Sequence, residues 1–172
     1  MKCLIINTLP EFDDKSTSVI GLLSEAAEET EVFDINNYEI GSCTGCSDCW
    51  FKTPGVCTVT DDWELLFKKI LKSDCVIFIT EALLGFVSHR MKNIVDRLKP
   101  LSLPYTKLHK GETRYMNRYE KCWNVGLLYS GNAEKEYLNE WMERFSLNFF
   151  WKSLGAYSFE ENGELCREIG NI

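Results

Sequence analysis

Five short apolar runs alternating with helically periodic stretches constrain this 172-residue chain more than any other feature. Residues 3–7 (Cys-Leu-Ile-Ile-Asn), 31–35, 75–80 (Cys-Val-Ile-Phe-Ile-Thr), 123–130 and 154–159 read as strands. The first has the unbroken apolar character of a strand covered on both faces, and the third is the clearest central strand. Between the runs, Val19, Leu22, Leu23, Ala26 and Ala27 recur at helical spacing. So do Trp63, Leu66, Phe67, Ile70 and Leu71, then Val87, Met91, Ile94, Val95 and Leu98, and last Leu138, Trp141, Met142, Phe145 and Phe149. Asp61 followed by Glu64 resembles a capping box at the start of the second helix, and Pro100 marks the end of the third.

Strands alternating with helices predict a parallel sheet covered on both faces. Five strands of this size predict a flavodoxin-like three-layer α/β/α sandwich with strand order 2-1-3-4-5. No repeat, low-complexity tract or linker interrupts the pattern, so residues 1–172 are expected to form one domain. A cysteine-rich loop at 41–60 and a long polar connection at 100–122 stand out from it. In such sheets ligands sit outside the carboxyl ends of the strands, near the switch between the first and third. The segments that matter are then residues 8–18, 81–88 and 130–133.

Charge narrows the partners. With 19 basic and 26 acidic side chains the net charge is -7, which repels phosphate backbones and anionic membrane surfaces. Neither nucleic acid nor membrane is therefore expected as a partner. Polar residues follow the first apolar run almost at once, and no stretch approaches the ~18 apolar residues of a membrane span. The expected location is cytoplasmic. In that reducing compartment, clustered cysteines point to metal ligation or redox chemistry before disulfides.

Four of the eight cysteines are clustered: Cys43, Cys46, Cys49 and Cys57 spell C-x2-C-x2-C-x7-C. Two residues between thiolates let neighbouring sulfurs converge on one inorganic centre. Gly45 relaxes the backbone there, and Thr53-Pro54-Gly55 makes a turn able to return Cys57. Structural zinc usually takes two separated C-x2-C knuckles, whereas overlapping spacing is closer to iron–sulfur ligation. An iron–sulfur cluster, zinc, and free or redox-active thiols all stay open on spacing alone. Cys3, Cys75, Cys122 and Cys166 read as small buried apolar residues or ordinary reduced thiols.

At the switch point, Lys15, Ser16, Thr17 and Ser18 precede the first helical stretch. Their hydroxyls and a helix N-terminus suit a phosphate dianion, although simple capping explains them as well. No G-x-G-x-x-G and no G-x-x-x-x-G-K-[ST] is present, which argues against a dinucleotide fingerprint and a P-loop. Thr80, Glu81, Ala82, Leu83, Leu84 and Gly85 read as a strand-to-helix loop where a flat heterocycle could approach the backbone.

With these regions in place the chain resembles the NADPH-dependent FMN reductase and iron–sulfur flavoprotein family. The resemblance rests on Cys43 to Asp62 (CTGCSDCWFKTPGVCTVTDD). A second match is Gly85-Phe86-Val87-Ser88 leading to Lys92 and Asp96-Arg97; Gly111-Glu112-Thr113-Arg114 with Arg118-Tyr119 is a third. It implies FMN, its phosphate held by Ser16, Thr17 and Ser18. Thr80, Glu81, Ala82, Leu83, Leu84 and Gly85 would line the isoalloxazine, and Ser130 and Gly131 would close its far edge. It further implies NAD(P)H as co-substrate, a homodimer or homotetramer, and a 4Fe-4S cluster on Cys43, Cys46, Cys49 and Cys57. Electrons would pass to a small-molecule redox substrate or an electron-carrier protein. Two departures mark this chain: Glu11 stands where relatives have a basic loop, and Glu81 and Leu83 replace a proline and an aromatic.

The implied activity is an oxidoreductase passing electrons from NAD(P)H through FMN to a small acceptor, with no side chain required as catalytic acid or base. Two alternatives remain: an FMN/4Fe-4S electron carrier with little direct NAD(P)H activity, and a non-enzymatic sensor domain that has lost flavin. Lys107, Lys110, Arg114, Arg118 and Lys121 form either a lid for a nicotinamide phosphate or an ordinary solvated loop. No G-x-S-x-G elbow is present, and His89 and His109 lack metal-spaced partners.

Overall fold

A computed structural model of the chain describes residues 1–10 and 14–172. Its sheet runs through β1 (Lys2–Asn7), β2 (Glu29–Asp34), β3 (Cys75–Leu83), β7 (Asn124–Gly131) and β8 (Lys152–Ser158). They lie in the order β2-β1-β3-β7-β8, with every neighbour parallel. Counting only these five gives 2-1-3-4-5, the expected flavodoxin-like arrangement.

Side-chain alternation along the strands divides the core in two. Cys3, Ile5, Cys75, Ile77 and Ile79 face α1 (Asp14–Glu25) and α6 (Asn162–Gly170). Leu4, Ile6, Val76 and Phe78 face α3 (Trp63–Lys72), α4 (His89–Asp96) and α5 (Lys135–Phe149). Residues such as Ile5 and Ile77 are wholly buried, so truncating either to alanine would cost on the order of 2–5 kcal/mol. Trp63, Leu66, Phe67 and Ile70 put the expected apolar stripe of α3 into this core.

Several expectations are corrected. β3 does not end at Thr80 but continues to Leu83, because β4 (Phe86–Val87) folds back and pairs Leu83 with Phe86. The segment at 80–85 is thus mostly strand, not a strand-to-helix loop. Helix α4 ends at Asp96, and Pro100 sits inside a following 3-10 turn, where its missing N–H is harmless. The connection at 100–122 contains a separate hairpin of β5 (Ser102–His109) and β6 (Glu112–Asn117) around Lys110-Gly111. Both turn residues have positive φ (49° and 79°), as a two-residue I′ turn requires. Helix α6 and the short α2 (Asp48–Phe51) were not foreseen. Asp62, not Asp61, occupies the cap position of α3.

Candidate functional site

The carboxyl ends of β1, β3 and β7 are tied together by backbone. Thr8 N–H donates to the Ile79 carbonyl at 2.8 Å, and the Thr8 hydroxyl donates to the same oxygen. On the other side of β3, Glu81 is level with Ser130 and Ala82 with Gly131. The expected switch-point segments therefore do come together at one end of the sheet.

Their side chains divide by burial. Ser16, Thr17 and Ser18 lie within the first turns of α1 and not before it. Ser16 is buried, while Thr17 and Ser18 are exposed. Lys15 donates to Glu160 at 2.5 Å, so its charge is shared with a carboxylate. Glu11, the expected acidic departure, lies outside the described residues. The hydroxyls of Thr80 and Ser88 are 2.8 Å apart and both buried. Ser88 in turn accepts from Met91 N–H and caps α4. Thr80 thus anchors a helix start.

The tip of the β3–β4 hairpin is different. Leu84 and Gly85 both have positive φ (52° and 78°), and Leu84 is fully exposed. Leu83 beside it is also exposed, so two leucines face solvent at the edge of the site. A Cβ on Gly85 would meet nothing within 4 Å, which leaves the open approach that a flat ring needs. Gly131 is a glycine for another reason: at φ +86° its Cβ would stand 2.9 Å from the Ala82 carbonyl. The hydroxyls, the helix N-terminus and this exposed apolar tip fit a flavin phosphate and ring in kind.

The cysteine loop sits beside α4. Thr53-Pro54-Gly55-Val56 forms the expected turn, with Val56 N–H donating to Thr53 O at 2.8 Å and Gly55 at φ +86°. Cys43 and Cys46 are exposed, Cys57 is half-buried and Cys49 is buried. Burial pushes the Cys49 thiol up; Lys99 pulls it down, and the charges of Cys57, Cys46 and Cys43 push it further up. The other three cysteines are therefore within electrostatic reach of Cys49. Hydrogen bonds from the Asp48 N–H and from Thr44 and Thr58 hold the Cys46 thiol below its ordinary value. In number and softness the four donors suit an iron–sulfur cluster. Among the described residues, no three His, Cys, Asp or Glu side chains converge as a metal site. Ligation would require the exposed Cys43–Cys46 segment to close on Cys49.

Arg97, named so far only as part of the second family match, has a structural role that the sequence did not show. Its side chain has no exposed surface, yet it carries a full charge. It is paired with Asp61, donates to the Gly41 carbonyl at 3.1 Å and to Cys57 Sγ at 3.3 Å, and lies 5.2 Å from the Trp63 ring. One guanidinium thus fastens both ends of the cysteine loop to the start of α3. Burial alone would raise the Asp61 pKa, but hydrogen bonds from Arg97, Gly41 N–H and Trp63 N–H, with the Arg97 charge, hold it below its ordinary value.

The basic residues of the connection do not form one lid. Arg118 donates to the Pro100 and Ser102 carbonyls, Lys121 pairs with Asp74, and Lys107 stands over Phe150. Cys3 and Cys75 are buried in strands as expected, whereas Cys122 is exposed. His109 packs on Phe150 and His89 opens α4 at the surface. No described helix is long and apolar enough to cross a membrane.

Comparison with known proteins gives the family and the fold. The family model for NADPH-dependent FMN reductase matches residues 1–117. An iron–sulfur flavoprotein of Methanocaldococcus jannaschii is 28% identical over 114 residues, which is 64% of this chain and 58% of the relative. An iron–sulfur flavoprotein of Archaeoglobus fulgidus is 30% identical over 118 residues, covering 60% and 53%. The chain thus spans about half the length of these curated relatives. Two solved structures share the fold. The NAD(P)H:quinone oxidoreductase of Methanothermobacter marburgensis superposes with a TM-score of 0.67 at 18% identity, covering 99% of this chain and 98% of that one. RosB with a bound riboflavin phosphate derivative gives 0.69 at 16%, covering 98% and 76%.

Proposed function

Because the chain belongs to the NADPH-dependent FMN reductase family, we propose that it is an oxidoreductase that takes electrons from NAD(P)H through bound FMN to a small, quinone-like acceptor. The observation that carries this reading is the family match over residues 1–117, which spans both the cysteine loop and the β3–β4 hairpin at the strand ends. FMN supplies the redox chemistry, accepting a hydride equivalent and passing electrons on.

The chain's own residues position and tune. The exposed hydroxyls of Thr17 and Ser18, with the N-terminal turn around Ser16, hold the phosphate where the helix dipole favours negative charge. Segment Thr80–Gly85 lines the ring: its strand portion is fixed by β7 and β4, while Leu83 and Leu84 cover an apolar face and exclude water. Ser130 and Gly131 close the far edge, held level with Glu81 and Ala82. No side chain is assigned a proton.

A second reading is favoured by one specific observation: relatives that match 60–64% of the chain carry the name iron–sulfur flavoprotein, and this chain has four clustered cysteines. In it, Cys43, Cys46, Cys49 and Cys57 ligate a 4Fe-4S cluster, with Arg97 donating to Cys57 Sγ, and the partner is an electron-carrier protein.

Anaerobic purification and a visible absorption spectrum test both. Flavin bands that bleach on adding NADPH support the first reading. An added broad absorption, with iron and sulfide near four per chain, supports the second, and near-zero iron with the cysteines intact removes it. Colourless protein that takes up no added FMN overturns both.

A further inference from the structure

Away from the strand ends, α4, α5, the β5–β6 hairpin and Trp50 surround a cavity of about 850 Å³. That volume falls in the range of small-molecule sites, roughly 300–1,000 Å³. None of the expected flavin residues lines it.

Its walls are aromatic. On one side Trp50 and Tyr115 lie with ring centroids 4.7 Å apart. On the other, Trp141 stacks on Phe145 at 5.6 Å with planes 15° apart. Its charged groups are mostly cationic: Lys92, Lys99, Arg114 and Arg144 contribute four positive charges against the single carboxylate of Asp96. Asp96 pairs with Lys92, and Glu112, outside the lining, pairs with both arginines. With Glu140 also acting on Arg144, one positive charge is left over in a chain whose net charge is -7. Lys99 sits 4.0 Å above the Trp50 ring and donates to the Ser47 hydroxyl, with no carboxylate paired to it among the described residues.

Arg114 is held between the hairpin and α5. Its side chain is only 10% exposed, with one nitrogen on Glu112 and another on Asn148.

We propose that this cavity binds a planar aromatic anion, its ring against the aromatic lining and its acidic group against Lys99 and the Arg114 guanidinium. Flat walls select a ring by stacking and cation–π contact, and the excess charge selects an acid. This assignment is independent of the flavin reading, because the two sites share no residue.

Isothermal titration of the protein as purified with 2-naphthoate, its neutral isostere 2-naphthamide, and acetate tests it. The expected result is 1:1 binding of 2-naphthoate, at least about tenfold weaker binding of the amide, and none of acetate. Arg114→Gln should weaken 2-naphthoate about tenfold or more while leaving the amide within about threefold. Trp50→Leu should weaken both ligands. Should Arg114→Gln fail to fold, the half-exposed Arg144→Gln must reproduce the selective loss in milder form. Equal binding of acid and amide, an unchanged affinity in both arginine variants, or displacement of FMN by 2-naphthoate would overturn the assignment. So would absence of binding to wild type, including the case where sedimentation shows a dimer that the Trp50→Leu variant dissociates.

Discussion

Breaking the Arg97–Asp61 pair should cost very different amounts depending on which partner is left behind. Asp61→Ala leaves a guanidinium with no exposed surface to face Gly41 O and Cys57 Sγ alone. Removing one member of a buried pair typically costs about 3–5 kcal/mol, because the remaining charge is neither solvated nor compensated. Arg97→Met is milder, since Asp61 keeps 11% exposure and two backbone donors, Gly41 N–H at 2.9 Å and Trp63 N–H at 3.1 Å. We expect about 1–3 kcal/mol for it.

The decisive variant carries both changes. With Arg97 gone, Asp61→Ala no longer strands a charge, so the double variant should be no less stable than Asp61→Ala alone. Urea unfolding at pH 7 measures this, and for a chain of this size about 2–4 °C in Tm per kcal/mol gives a second readout. If the two losses add to within about 0.5 kcal/mol, the pair is not coupled and the reasoning fails. The pH dependence follows from sign. The Asp61 pKa is depressed in the fold, so its contribution is fully present above the ordinary 3.8 and is lost as pH falls through the lower folded value. The gap between wild type and Asp61→Ala should be flat from pH 7 to about pH 5 and narrow only in strong acid.

Three further outcomes are expected. Gly131→Ala forces a Cβ to 2.9 Å from the Ala82 carbonyl at φ +86° and should cost roughly 2–3 kcal/mol in urea unfolding; a loss under about 0.5 kcal/mol would mean the strand ends are not held in register. Leu84→Asn relieves a fully exposed leucine at φ 52° and should stabilise by roughly 0.5–1 kcal/mol; if bound FMN falls at the same time, Leu84 covers the ring, and if it does not, that placement is wrong. Glu81→Gln removes a negative charge that would oppose an anionic reduced flavin, so the potential measured by dye equilibration should rise by tens of millivolts, on the order expected for a charge partly screened by solvent; an unchanged value places Glu81 away from the ring.

How much of this was legible depended on what each residue touches. The runs at 3–7 and 75–80 announced buried parallel strands because both their faces meet helices, and apolar continuity is the mark of that environment. The β5–β6 hairpin gave no such mark. Tyr105, Thr106 and Leu108 stand exposed on it, so no core face imposed an alternation; the readable signal was the Lys110-Gly111 pair between two β-prone stretches. The same dipeptide logic, Leu84-Gly85, would have revealed that β3 runs on into a hairpin. The switch-point segments were found because topology alone puts them together. Arg97 and Arg114 were visible only as members of family motifs, because sequence counts a charge without showing whether water reaches it. Both are paired by residues distant in the chain or across a hairpin: Asp61 and Cys57 for one, Asn148 and Glu112 for the other. The fold is thus written in local periodicity, whereas the polar groups that decide how the cysteine loop is held, and what the α4–α5 cavity can take, are set by contacts made only once the sheet has closed. Substitutions at these two arginines therefore test what the family motifs hold in place, and not only that the motifs are present.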